Sequence, residues 1–455
     1  MNEGANKKRS KYIKTDVEGK LVSRVSIVFL FSLFVMPQYF GIPFPAFDLT
    51  VMRIMMIIMI LLILANDRRK HEFWHLLKDS VLAKIIIPFV IVITYTMILR
   101  GDLKAFLNPA IEFILLFVCA YIIKYVLGVD KTIQCVTVFM YILSIMGVIE
   151  YVLGKSLFSY LVTIPELYTG TYIRSGYYRI MGPTGHALAY GLLLIVATPV
   201  TCYNVKEKKV DVLCRPILLI LLTLNVFFTG SRSNLALFIL ELFLLFLFSA
   251  RREKKKFLFC FSIIGIAFVL ILVVFNKSSI SQYFMLQITT IIDEVFGSEL
   301  SAAYGADAQV LGDSSSYRDL LKQLFTSGYV NPLLGYGRGG YQFTVEGVEI
   351  GSIDSFYIVT FVQYAYPGLL TFLLFSFYYL IRMIRDAVKK KSAICIAMAV
   401  GCICYMINLY WVDSLLTLKY FYLIFALYWG WSETKQLETE EKKPCSKYIR
   451  RFQKK

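Results

Sequence analysis

The chain has 455 residues, is 58% apolar and carries a formal net charge of +17 at pH 7. A water-soluble chain of this length divides into two or three domains, but repeated apolar runs, each near the roughly 20 residues that cross a bilayer, exclude that class. The basic residues sit in short clusters between those runs, as membrane topology requires, so the positive charge does not form a nucleic-acid-binding face.

This pattern predicts an all-α polytopic membrane protein with about 12 transmembrane helices. The runs are 25–40, 49–65, 81–99, 107–127, 132–153, 182–203, 213–230, 233–249, 257–275, 354–381, 393–411 and 417–431. The chain thus divides into a basic tail (1–24), helices 1–9 (25–275), a long loop (276–352), helices 10–12 (353–431) and a second basic tail (432–455). With the N-terminus in the cytoplasm, 36 of the 48 Lys and Arg residues lie in inner segments or near inner ends. The excess of basic residues on cytoplasmic loops then puts both termini inside and the 276–352 loop outside. The opposite orientation places those 36 on the wrong face. Residues 1–24 are expected to be a disordered tail, and the first apolar run, followed by Pro37 without a small-residue cleavage site, is expected to be a span rather than a cleaved signal. The nine cysteines all fall in spans or cytoplasmic segments, which leaves no outer disulfide framework.

In chain order, the first hairpin turns through Pro37, Pro43 and Pro45. The connector after the second run contains His71-Glu72-Phe73-Trp74-His75, a match to the H-E-x-x-H zinc pattern. Its short, basic, cytoplasmic setting instead favours an interfacial turn with Trp74 at the headgroups. Glu112 and Glu241 lie inside apolar runs; carboxyls at membrane depth usually face the bundle interior and are functional candidates. Either is also explained as a protonated acid joining helices.

The second outer loop, 154–181, carries Arg174, Arg179 and five tyrosines, and leads through Gly182 and Gly185 to His186. The tyrosines suit an aromatic belt or stacking on sugar rings, whereas arginine binds phosphate with a two-pronged fork. The outer turn Thr229-Gly-Ser-Arg232-Ser-Asn234 fixes one arginine between two spans.

The long loop has 77 residues, 10 of the 27 glycines and no cysteine; connectors of this length are usually functional. Arg318 opens an expected helix over 318–326, and Asn331-Pro-Leu-Leu-Gly335-Tyr-Gly337-Arg338-Gly339-Gly340 follows. Gly335, Gly337 and Gly340 spell G-x-G-x-x-G, but a dinucleotide site needs a strand–turn–helix setting that is missing here. Glycines and free N–H groups around Arg338 are suited to an anion nest. Span ten opens at Ile353-Asp354-Ser355, where Asp354 can cap the helix, and Pro367-Gly368 predicts a kink.

Four stretches together resemble the bacterial O-antigen polymerase and O-antigen ligase family of membrane glycosyltransferases. They are Arg179-x-x-Gly182-x-x-Gly185-His186; Thr229-Gly-Ser-Arg232-Ser; Arg318 with Asn331-Pro-Leu-Leu-Gly335-x-Gly337; and Asp354-Ser355-x-Tyr357 with Gln363, Ala365 and Gly368. The Arg174-x10-Gly185 spacing is similar to one described for some polymerases. Ligases of the family usually show His-Asn where this chain has Asp354-Ser355, and often Glu-x-Gly where it has Gln363-x-Ala365. That departure favours a polymerase.

The resemblance implies a multi-pass enzyme of the bacterial cytoplasmic membrane whose donor and acceptor are oligosaccharide repeat units on polyprenyl diphosphate. It implies no nucleic acid, metal or other cofactor, and leaves room for a flippase and a chain-length regulator as partners. Positive groups must face the charge developing on the leaving diphosphate; the order of preference is Arg232, Arg318, Arg179, Arg338, Arg174. A general base must take the acceptor hydroxyl proton; Asp354 comes first and His186 second. The alternatives are ligase-type transfer to another acceptor, and a lipid-linked sugar flippase or transporter, against which the lack of an internal repeat counts.

Overall fold

The computed structural model describes residues 3–441 except 46, 175, 306–316 and 327. Asp307, Asp313, the serine run 314–316 and the tail beyond 441 lie outside the described residues. The chain is mostly helical. The helices are α1 (Glu3–Phe34), α2 (Val51–Leu64), α3 (Asp67–Asp79), α4 (Val81–Lys84), α5 (Ile87–Arg100), α6 (Leu103–Tyr121), α7 (Val129–Leu153) and α8 (Ala187–Thr201). They continue with α9 (Pro216–Phe228), α10 (Arg232–Phe248), α11 (Arg251–Val274), α12 (Ser279–Phe296), α13 (317–323), α14 (Phe356–Lys389), α15 (Ala393–Asn408) and α16 (Leu418–Glu441). The described strands form two-stranded antiparallel hairpins in connectors, so none joins a larger sheet: Gly41–Ile42 with Leu49–Thr50, Ile173–Arg174 with Tyr177–Tyr178, Tyr203–Asn204 with Lys209–Val210, and Phe343–Val345 with Val348–Ile350.

Every predicted apolar run overlaps a helix, the run 81–99 being divided between α4 and α5. Among the described residues, five helical stretches are long and apolar enough to cross a membrane: Val81–Arg100, Leu103–Leu127, Val129–Leu153, Arg251–Val274 and Phe356–Lys389. Four shorter apolar helices are α2, α8, α9 and α15. A helix that is apolar all round belongs in a core or in lipid, and both cases occur. In α8 every residue from Ala189 to Thr201 is buried, and in α16 so is every residue from Tyr420 to Trp429. The α16 helix packs on α6, and α8 on α15. By contrast, α11 exposes Phe259, Phe261, Ile266 and Val274 around its circumference, as a lipid-facing helix does.

The connectors bond to one another in two groups. In one, the Gln38 amide donates to the Pro183 carbonyl, Thr163 to Tyr39, Ile180 to Phe228, Arg338 to Asp102 and Phe356 to Leu409. In the other, Lys124 pairs with Glu433, Lys208 with Asp130 and Lys209 with Glu253. The first group consists of the segments expected outside, the second of those expected inside.

Three expectations change. Residues 3–24 are helical and run straight into the first span. The 276–352 segment contains α12, α13 and the Phe343–Ile350 hairpin, because its apolar residues find partners: the Tyr283 hydroxyl donates to the Phe227 carbonyl at 2.7 Å, and Leu321, Leu324, Val330 and Phe343 form a small core with Phe361 and Val362 of α14. Asp354 does not cap α14. That position belongs to Ser355, while Asp354 is exposed and accepts from the Ser352 hydroxyl at 3.3 Å.

The kink in α14 centres on Ala365 (φ 54, ψ −165), next to Pro367. A break frees helical carbonyls that need other donors. The Tyr336 amide donates to Val362 O at 2.8 Å, the Gly337 amide to Gln363 O at 3.0 Å, and Tyr366 N in turn donates to Pro332 O at 3.2 Å. The 331–340 loop therefore completes the broken helix.

Candidate functional site

The sequence candidates fall into three neighbourhoods on the first group of connectors. Arg174, Arg179, His186 and the turn carrying Arg232 form one. Glu150, near the end of α7, accepts from the Tyr178 hydroxyl at 3.0 Å and from the Met181 and Gly182 amides at 2.8 and 3.1 Å. Those bonds clamp the strand on either side of Arg179. Its guanidinium, on a residue only 2% exposed, donates from Nε to the Thr229 carbonyl at 2.6 Å and lies 4.6 Å over the Tyr172 ring. Gly230, at φ +59, leaves room for it, since a Cβ there would meet Nε at 3.1 Å. Burying a charge without a counterion costs several kcal/mol, and a cation over an aromatic face returns about 0.5–2 kcal/mol. Burial accordingly lowers the Arg179 pKa from its ordinary value, with Tyr172 opposing the shift and Arg174 adding to it. Among the described residues Arg179 Nη2 is buried without a hydrogen-bond partner.

His186 lies with its ring 5.4 Å from that of Tyr172, tilted by 43°, and caps α8, its Nδ1 accepting from the Leu188 amide at 3.1 Å. Only Nε2 is left for other chemistry. Arg174 is half-buried beside Tyr177 in its hairpin, and Arg232 is the first residue of α10, behind the Ser231 cap.

Arg318 and Asp354 form the second neighbourhood. The hydroxyl of Tyr317, adjacent to Arg318, donates to the Ser352 carbonyl at 2.5 Å, and Ser352 bonds Asp354. Arg318 is half-buried, and its Nε has no hydrogen-bond partner among the described residues.

The third neighbourhood is a cleft reached by Arg338. The expected anion nest is real but holds the chain's own carboxylate: Asp102 Oδ2 accepts from the Arg338 and Gly339 amides at 2.5 and 2.9 Å. Arg100 Nε donates to Gly335 O at 2.7 Å and fastens the same loop. The Arg338 side chain is thereby held over a cavity of about 230 Å³ that continues into a second of about 70 Å³. Arg53, Asn108, Glu112, Arg338 and Leu416 line both, with Lys104 and Lys419 in the larger and Gln363 and Asp413 in the smaller. Lys419 is 4% exposed. Arg53 donates to Asp48 O at 2.5 Å. Lys419, Arg53 and Arg338 are the charges that act on Glu112, whose Oε2 is buried without a hydrogen-bond partner among the described residues. Burial raises Asp413 above the usual carboxylate range, against the Ser414 amide and Arg338.

Of the seven predicted site residues, Arg338 alone lines this cleft. Glu112 reaches it, whereas Glu241 stays fully buried in α10 with neither carboxyl oxygen partnered among the described residues. Sequence reasoning passed over Arg53, Lys104, Lys419 and Glu150. A signal existed, because Arg53 and Lys419 are rare cations in apolar runs, near the face that holds few of them. At the other end, Glu72 of the H-E-x-x-H match pairs with Arg68 at 2.8 Å.

Residues 217–376, from α9 into α14, match the family model described as O-antigen ligase. No curated protein matches the chain. The match is consistent with the O-antigen polymerase and ligase family that the four motifs resemble, and it spans Arg232, Arg318, Arg338 and Asp354. Together with the apolar helices it indicates a multi-pass membrane enzyme of O-antigen ligase or polymerase type.

Proposed function

We propose that this protein is a membrane glycosyltransferase that polymerises polyprenyl-diphosphate-linked oligosaccharide repeat units on the outer face of the cytoplasmic membrane, with both termini inside. The observation that carries the reading is the O-antigen ligase match over 217–376. The polymerase choice within that class rests on Asp354-Ser355 standing where ligases usually have His-Asn.

In the proposed reaction the acceptor sugar hydroxyl attacks the anomeric carbon of the donor glycan. The bond from that carbon to the diphosphate oxygen breaks, and the diphosphate leaves with the electron pair. Fixed positive groups lower this barrier because they need not reorganise as the charge develops. Arg179, whose Nη2 has no hydrogen-bond partner among the described residues, and Arg232 on the adjoining turn are the first candidates for that role, with Arg174 and Arg318 as supporting cations, while Arg338 lines the separate cleft. Asp354 is the proposed base, since its carboxyl is exposed just before α14; His186 keeps only Nε2 for that task. Chain-length regulators and flippases remain proposed partners.

The test is a gel of surface and lipid-linked glycans from cells lacking the protein. A single repeat unit accumulating on its carrier, with the ladder gone, is expected. An intact ladder left on the carrier would make the protein a ligase. Repeat units trapped on the cytoplasmic side would make it a flippase.

A further inference from the structure

We propose that the Glu112–Lys419 cleft is a subsite for a neutral, polyhydroxyl sugar ring of the acceptor and does not hold the diphosphate. The proposal rests on the glycan-transfer reading above and adds the substrate group that this second site takes.

Charge decides against the diphosphate. Arg53, Lys104, Arg338 and Lys419 share the cleft with Asp48, Glu112 and Asp413, so positive and negative groups nearly balance. A diphosphate would bring its negative charges against three carboxyl groups as well as the cations, so the cleft offers it no large positive surplus. A sugar ring adds no charge. Its hydroxyls both donate and accept, and the cleft offers both kinds of partner. Glu112 Oε2 is buried without a hydrogen-bond partner among the described residues, an acceptor waiting for an O–H. The Lys419 ammonium, on a residue 4% exposed, lies 5.0 Å over the Tyr420 ring. Asn108 and Gln363 supply amides that bond in both senses.

Size points the same way. Cavities of about 230 and 70 Å³ fall at or below the low end of the roughly 300–1,000 Å³ that encloses a drug-sized ligand. One ring fits that space better than an extended oligosaccharide. The position is also suitable. Gln38 and Leu167, lining the larger cavity, belong to segments whose backbones bond Pro183 and Gly185, next to His186, and the smaller cavity is lined by the start of α14, just after Asp354. A ring seated here lies beside both groups of candidate catalytic residues.

The experiment uses full-length protein in nanodiscs and two probes. One is the repeat-unit glycan freed from the carrier that accumulates in the deletion strain; the other is inorganic diphosphate. Calorimetry should show Glu112→Gln and Lys419→Met weakening the glycan by about tenfold or more, as losing a buried hydrogen bond to a charged group does, with diphosphate affinity unchanged. In membranes, the milder Asn108→Ala should raise the repeat-unit concentration for half-maximal polymerisation while nearly preserving the maximal rate. Unchanged glycan affinity in both variants, or loss of diphosphate binding with the glycan retained, would overturn the subsite. If wild-type membranes form no polymer from lipid-linked repeat units, the parent reading fails instead, and that result is read before any variant is made.

Discussion

A buried arginine states its purpose through what it lacks. Arg179 is held by Thr229, Tyr172 and the Glu150-clamped strand, yet Nη2 is buried without a partner among the described residues. Lysine would keep the charge but lose the planar fork that holds the Thr229 carbonyl and, in the proposed role, a phosphate oxygen. Arg179→Lys is therefore expected to reduce polymer by about tenfold or more while leaving the protein inserted, as read from ladder intensity and from membrane-fraction blots. Normal ladders from that variant would remove Arg179 from the diphosphate clamp. The residue types of this neighbourhood were legible in the sequence, since Arg179, Gly182, Gly185 and His186 stand in one motif. The Glu150 clamp was not, because it sits at the end of an apolar run and acts on a strand about thirty residues away through three hydrogen bonds.

Among elements, the broken helix α14 and the 331–340 loop form one unit. A Cβ on Gly335 would lie 2.3 Å from the Gln363 carbonyl, so Gly335→Ala must push the loop off the kink. The expected cost is about 1–3 kcal/mol, seen as a lower unfolding temperature in detergent, with Arg338 displaced and polymer reduced. Ala365 holds φ 54 and ψ −165, a region that is nearly glycine's alone. Ala365→Gly should therefore raise the unfolding temperature, by about 1 kcal/mol of relieved strain. A lower temperature for that variant would mean that the kink is held by the alanine methyl. The kink itself was readable from Pro367-Gly368. Its partner loop was not, because the carbonyls of Val362 and Gln363 become acceptors only once the helix has broken.

For the whole molecule, the two groups of connectors imply two faces. In a background with the native cysteines replaced by serine, Tyr160→Cys should react with a membrane-impermeant maleimide in intact cells. Lys255→Cys should react only after permeabilisation. The reverse result would invert the topology and move the cleft to the cytoplasmic side, where a lipid-linked polymerase would not work.

The sequence by itself determined the helical membrane class, the positions of the apolar runs and the clustering of basic residues between them. These properties are local: a run's hydropathy and the basic residues beside it act on insertion whatever the rest of the chain does. Only the tertiary structure decided which charges meet. Arg53, Glu112, Arg338 and Lys419 come from α2, α6, the 331–340 loop and α16, and share a cleft because α6 packs on α16 and Asp102 anchors the loop above them. Convergence across hundreds of residues is a property of packing, and no spacing along the chain encodes it.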